Sequence, residues 1–182
     1  MANMGALAQI QRAATARQLR FVLIGGFAVN AHGYSRVTGD LDLAVPRNDR
    51  LEWRALIGDL GYRLVAENER FFQFQSMTGS GLPIDVMLAN GSTFEAFWKE
   101  AKDTLADGTT FRVVALEHLI AMKLHVLKQA KLHRFMKDYQ DVVSLVWLNG
   151  IDLASASYRA LFEKYGTLDL YEKIRRACEA KQ

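Results

Sequence analysis

Thirteen residues separate the pair Gly25-Gly26 from Asp40-Leu41-Asp42. The two aspartates alternate with Leu41, Leu43 and Val45, so Asp40 to Val45 reads as a strand closed by Pro46. Positions i and i+2 of a strand share a face, which puts two carboxylates side by side about 6.5 Å apart along the backbone. Two like charges so placed are costly unless a cation neutralises them. A third carboxylate, Asp85, sits in Pro83-Ile84-Asp85-Val86-Met87, an apolar strand where an acid is poorly suited. If that strand lies beside 40–45, three carboxylates converge. Oxygen donors of this kind suit Mg²⁺, which keeps waters and binds substrate phosphates. Asp40 and Asp42 are then the expected metal ligands, with Asp85 completing the set and placed to deprotonate or orient an acceptor.

The glycine pair supplies a complementary part. Glycine lets a backbone approach a phosphate closely, and a helix that opens there offers unpaired N–H groups. No zinc-type set competes: His125 and His133 are eight residues apart, and Cys178 is the only cysteine.

These residues need elements to position them. Residues 4–19 read as an amphipathic helix with Leu7, Ile10 and Ala14 on one side. The run 20–24 is short, apolar and β-leaning, and stops at the glycines. A helix over 27–32 ends at Gly33. Asn48 or Asp49 can cap a helix to about Leu60, ended by Gly61. Glu69–Ser76 and Leu82–Leu88 form a hairpin through Thr78-Gly79-Ser80-Gly81. A helix from about Ser92 to Ala101 and a short strand at 111–114 follow. From Leu116 the pattern is helical: 116–130, 133–148, then two more helices to about Cys178. The expected organisation is α+β, with a mixed front half, 1–115, and a helical region, 116–182, packed on it.

Composition sets wider bounds. Half of the 182 residues are hydrophobic, enough for one well-buried domain with a helical appendage. No apolar run reaches about 18 residues, so no membrane span is expected. Met1 to Ala14 lacks a secretory pattern, and a lone cysteine permits no intrachain disulfide; a cytoplasmic setting is the simplest reading. A net charge of +3 does not demand a nucleic-acid partner.

Leu23-Ile24-Gly25-Gly26, Asp40-Leu41-Asp42-Leu43 and the later strand aspartate Asp85 together resemble the signature of the DNA polymerase β-type nucleotidyltransferases. The stretch from Ile24 to Gly33, followed by Arg36-Val37-Thr38-Gly39-Asp40-Leu41-Asp42, is closer still to the AbiEii-like and minimal nucleotidyltransferases of bacteria. The motif-bearing part covers about 20–90. A second echo lies in Leu119 to Leu124 and in Arg134 … Lys137-Asp138-Tyr139-Gln140-Asp141. The resemblance implies a small mixed sheet flanked by helices, Mg²⁺, and transfer of a nucleoside monophosphate from a nucleoside triphosphate to a hydroxyl. The acceptor would be a tRNA, a protein or a small molecule, in a toxin–antitoxin context. An alternative is a catalytically silent member that acts through a binding partner.

Where many active members carry Gly-Ser, this chain has Gly25-Gly26, so one hydroxyl contact to phosphate is missing. Lys123 lies in an apolar helix. It is either a lysine snorkelling at the core edge or, by the family echo, a group that offsets triphosphate charge. Arg36 and Thr38 either order their loop or meet the triphosphate. Asp138 and Asp141, three apart on one helix face, can pair with Arg134 and Lys137 as a surface network.

Overall fold

The computed structural model describes residues 2–129 and 132–181. The chain divides into two compact units, Met1–Ala28 with Arg36–Ala115, and Val29–Ser35 with Leu116–Gln182.

The first unit is built on a seven-stranded mixed sheet. Its strands are β1 (Val22–Leu23), β2 (Leu41–Pro46), β3 (Tyr62–Glu67), β4 (Phe71–Ser76), β5 (Ile84–Ala89), β6 (Lys102–Ala106) and β7 (Thr109–Val113). Their order across the sheet is β3-β4-β5-β2-β1-β7-β6. β2 runs parallel to β5 and β1 parallel to β7; the other pairs are antiparallel. The expected hairpin is present as β4 and β5. β3 and β6, which the sequence did not announce, complete the two edges.

Alternation explains the central strands. Leu41, Leu43 and Val45 on β2 and Ile84, Val86 and Leu88 on β5 are buried, with exposures of 0–2%. Asp42 and Asp85 fall between them at half-buried positions. Asp40 is one residue earlier than expected relative to the strand: it lies in the bend that leads into β2.

Helix α1 (Ala2–Ala16) buries Leu7, Ile10 and Ala14, the expected stripe, and packs on α3 (Arg50–Asp59). α3 contributes Trp53, Leu56 and Ile57 to the core, and Trp53 meets Phe21 edge-on at 5.7 Å. Asp49 does not cap it with its side chain; a 3-10 turn over Arg47–Asp49 leads in instead. α4 (Gly91–Glu100) is capped by Asn90, whose side chain accepts from the Thr93 N–H at 2.9 Å.

The second unit is helical: α5 (Leu116–Gln129), α6 (Leu132–Leu148), α7 (Ala156–Tyr165) and α8 (Leu168–Glu179). α5 packs on α6 and α7, and α8 on α6 and α7. The short α2 (Gly25–Ala31) begins on the glycines themselves and carries the chain from the first unit into the 29–35 segment of the second. Asn149, which follows α6, fastens that segment by donating to the His32 carbonyl at 3.1 Å. Among the described residues no helix is long and apolar enough to cross a membrane.

Candidate metal centre

The register of β2 on β5 places Asp42 directly opposite Asp85. Parallel neighbours in register point their side chains to the same face, so the two carboxylates meet across one strand gap. Asp40 reaches the same place from the bend before β2. One oxygen from each of Asp40, Asp42 and Asp85 lies within 4.8 Å of the other two. At an effective dielectric of about 20, unit charges this close repel by about 3 kcal/mol per pair. Three hard oxygen donors at this separation fit a divalent cation such as Mg²⁺.

The glycine turn is shaped around these carboxylates. Gly25 has φ +60°, a left-handed conformation that favours glycine. A side chain there would also collide with the Asp42 carboxylate and lie 2.6 Å from the Asp42 Cβ. The Gly26 N–H points back at Asp42 Oδ2, at 3.4 Å. Gly26 stands where the resemblance leads one to look for serine, and its missing side chain also has a cause. A Cβ there would strike the Thr38 hydroxyl and sit 2.8 Å from the Thr38 Cβ.

Thr38 is buried, and its hydroxyl is within bonding distance of two acceptors on Asp40, the carboxylate Oδ1 at 3.1 Å and the carbonyl at 3.3 Å. Arg36 donates from Nη1 to the Val37 carbonyl at 3.0 Å, and the same nitrogen is 3.4 Å from the space above Gly26. Gly25, Gly26, Arg36, Thr38, Asp40, Asp42 and Asp85 therefore form one cluster in the first unit.

Gln73 belongs with them and was not singled out from the sequence. It pairs with Asp85 across β4 and β5, and its amide donates to Asp85 Oδ2 at 3.3 Å. The available signal was its place between the buried Phe72 and Phe74.

Lys123 lies in the second unit and is not a snorkelling side chain. It is 7% exposed, and its ammonium sits 2.8 Å from Asp138 Oδ1 and 2.7 Å from Asp141 Oδ2. Asp138 and Asp141 are correspondingly buried, not members of a surface network. The helical spacing put them on one face of α6, but that face looks inward to α5. The Arg134 side chain lies outside the described residues.

The profile described as nucleotidyl transferase AbiEii toxin, type IV toxin–antitoxin system, matches residues 7–181. The chain belongs to the AbiEii nucleotidyltransferase family. Solved structures place this AbiEii chain in the nucleotidyltransferase fold. The antibiotic-resistance factor ANT(2'')-Ia, solved in complex with adenylyl-2''-tobramycin, is similar at a TM-score of 0.60 and 19% identity over 97% of each chain. The lincosamide antibiotic adenylyltransferase LnuA, solved with lincomycin, gives a TM-score of 0.57 at 13% identity over 76% of this chain and 95% of its own. An antigenic nucleotidyltransferase-like protein from Paracoccidioides brasiliensis gives 0.57 at 12% over 95% and 89%. No curated protein sequence matches the chain. Family membership makes the AbiEii chain an enzyme of the nucleotidyltransferase class.

Proposed function

We propose that this AbiEii member transfers a nucleoside monophosphate from a nucleoside triphosphate to a hydroxyl of a macromolecule, a tRNA or a protein. The observation that carries the reading is the convergence of Asp40, Asp42 and Asp85 through the β2–β5 register. Asp40 and Asp42 would hold Mg²⁺, and Asp85 would share it. When bound, the cation would neutralise the triphosphate and the leaving pyrophosphate.

The chain's own groups do the rest. The Asp85 carboxylate takes the proton of the acceptor hydroxyl as its oxygen forms a bond to the α-phosphorus. The bond from that phosphorus to the pyrophosphate oxygen breaks, and pyrophosphate leaves with its electron pair. Gln73 holds Asp85 from the side by its amide. Gly25 and Gly26 bring the backbone close to the phosphates, with Arg36 beside them. Lys123, the group that the family echo sets against triphosphate charge, is paired with Asp138 and Asp141.

A macromolecular acceptor is supported by the toxin–antitoxin description of the family, which also favours a cognate antitoxin as partner. A reducing, cytoplasmic setting suits the free Cys178.

Incubation with each α-labelled nucleoside triphosphate, Mg²⁺ and either total tRNA or cell extract tests the reading. Label should appear in one acceptor fraction. Asp42→Asn should lower the rate by about 10²-fold or more, the size expected when a preorganised charge-stabilising group is lost. Equal labelling by wild type and Asp42→Asn would overturn the assignment.

A further inference from the structure

The two glycines lack side chains for reasons already visible in the empty turn, before any phosphate arrives. At Gly25 the space is taken by Asp42; at Gly26 it is taken by Thr38. Thr38 in turn is hydrogen-bonded to Asp40 Oδ1 at 3.1 Å. The turn thus reaches Asp42 by direct contact and Asp40 through one intermediary. We propose that Thr38 is a positioning residue that orients the Asp40 carboxylate for the cation, and that Gly26 is glycine to admit it.

The inference rests on the metal-dependent reading above. Three features support it. Thr38 is only 8% exposed, so its hydroxyl is shielded from competing water. Its branched Cβ restricts χ1, and its place against the turn is open only because position 26 has no side chain, where a Cβ would lie 2.8 Å from the Thr38 Cβ. A hydroxyl donating to one carboxylate oxygen also limits rotation of the carboxylate, while the remaining lone pairs stay available to a cation. Supporting partners of this kind commonly affect metal affinity by about 10- to 100-fold.

The test uses the full chain and Mn²⁺ alone as the probe, with affinity read by electron paramagnetic resonance in the absence of nucleotide. Thr38→Val keeps the shape and removes the donor; it should weaken Mn²⁺ binding by about 10- to 100-fold. Thr38→Ser keeps the hydroxyl and should stay near wild type, which a purely space-filling role would not produce. Gly26→Ser should also weaken binding, because its side chain displaces Thr38. In turnover, Thr38→Val should lower kcat more than it changes the KM for the triphosphate at saturating Mg²⁺.

Circular dichroism reports whether each variant folds, and Gly26→Ser, with Thr38→Ser as its control, carries the test should Thr38→Val fail to fold. Wild-type Mn²⁺ affinity in Thr38→Val or in Gly26→Ser overturns the role of Thr38 alone. Absence of Mn²⁺ binding by the wild type overturns the metal reading itself, and the Thr38 role with it.

Discussion

At the scale of single residues the chain handles its carboxylates in two opposite ways. Asp40, Asp42 and Asp85 crowd together at half-buried positions, one oxygen of each within 4.8 Å of the others. Asp138 and Asp141 are buried more deeply and share an internal cation, Lys123. The first arrangement was legible in the sequence because its members sit where strand alternation demands a polar face. The second was legible only as spacing. A lysine in Leu119 to Leu124 looks like a core-edge residue until the next helix brings two carboxylates to it, and that pairing is a long-range fact. Removing one partner from such a buried group leaves uncompensated charge, at a cost of about 3–5 kcal/mol. Lys123→Met should therefore unfold at a much lower urea concentration by circular dichroism. The triple variant Lys123→Met/Asp138→Leu/Asp141→Leu should recover most of the loss, because an apolar replacement of a whole buried ion cluster is often neutral or stabilising. An unchanged midpoint for Lys123→Met would show that the cluster is not energetically coupled.

At the scale of elements, the strands with a buried face were readable and the edge strands were not. β2 and β5 were readable because Leu41, Leu43 and Val45 on one and Ile84, Val86 and Leu88 on the other are buried at every second position. β3 buries only Tyr62, and its next five residues are exposed or half-exposed. β6, Lys102-Asp103-Thr104-Leu105-Ala106, buries none. Both owe their place to backbone pairing with β4 and β7, and polar edges discourage further pairing. The helices of the second unit were readable from their periodicity, but not the polar contact between two of them. Tyr158 of α7 donates to the Glu117 carboxylate of α5 at 3.4 Å. Burial, followed by the nearby Glu117 charge, pushes the Tyr158 phenol up from 10.0 to about 12. The folded state therefore holds this proton more tightly than the unfolded one. Its stabilising contribution is complete below about pH 10 and is lost as the pH rises towards about 12. Urea midpoints measured through that window should fall less steeply for Tyr158→Phe than for wild type. Parallel curves would rule out the α5–α7 contact as a source of the alkaline loss.

At the scale of the whole molecule, the candidate site draws on residues from Gly25 to Asp85, so it exists only when the first unit is folded. A cation that binds three converged carboxylates binds the folded state alone and must stabilise it by mass action. At a concentration 100 times its Kd, the gain is about 2.7 kcal/mol. For a chain of this size that corresponds to a rise of about 5–10 °C in Tm. The repulsion among the three carboxylates sets a second, opposite expectation. Without metal, Asp42→Asn removes one charge from the cluster and should melt at or slightly above the wild-type temperature. With saturating Mn²⁺ the order should reverse, because only the wild type gains the full shift. Calorimetry in chelator and in Mn²⁺ reads both comparisons. If the two units melt separately, the shift should be confined to the transition that Asp42→Asn alters. The same Mn²⁺ shift in wild type and Asp42→Asn would mean that the ion binds elsewhere than the carboxylate cluster.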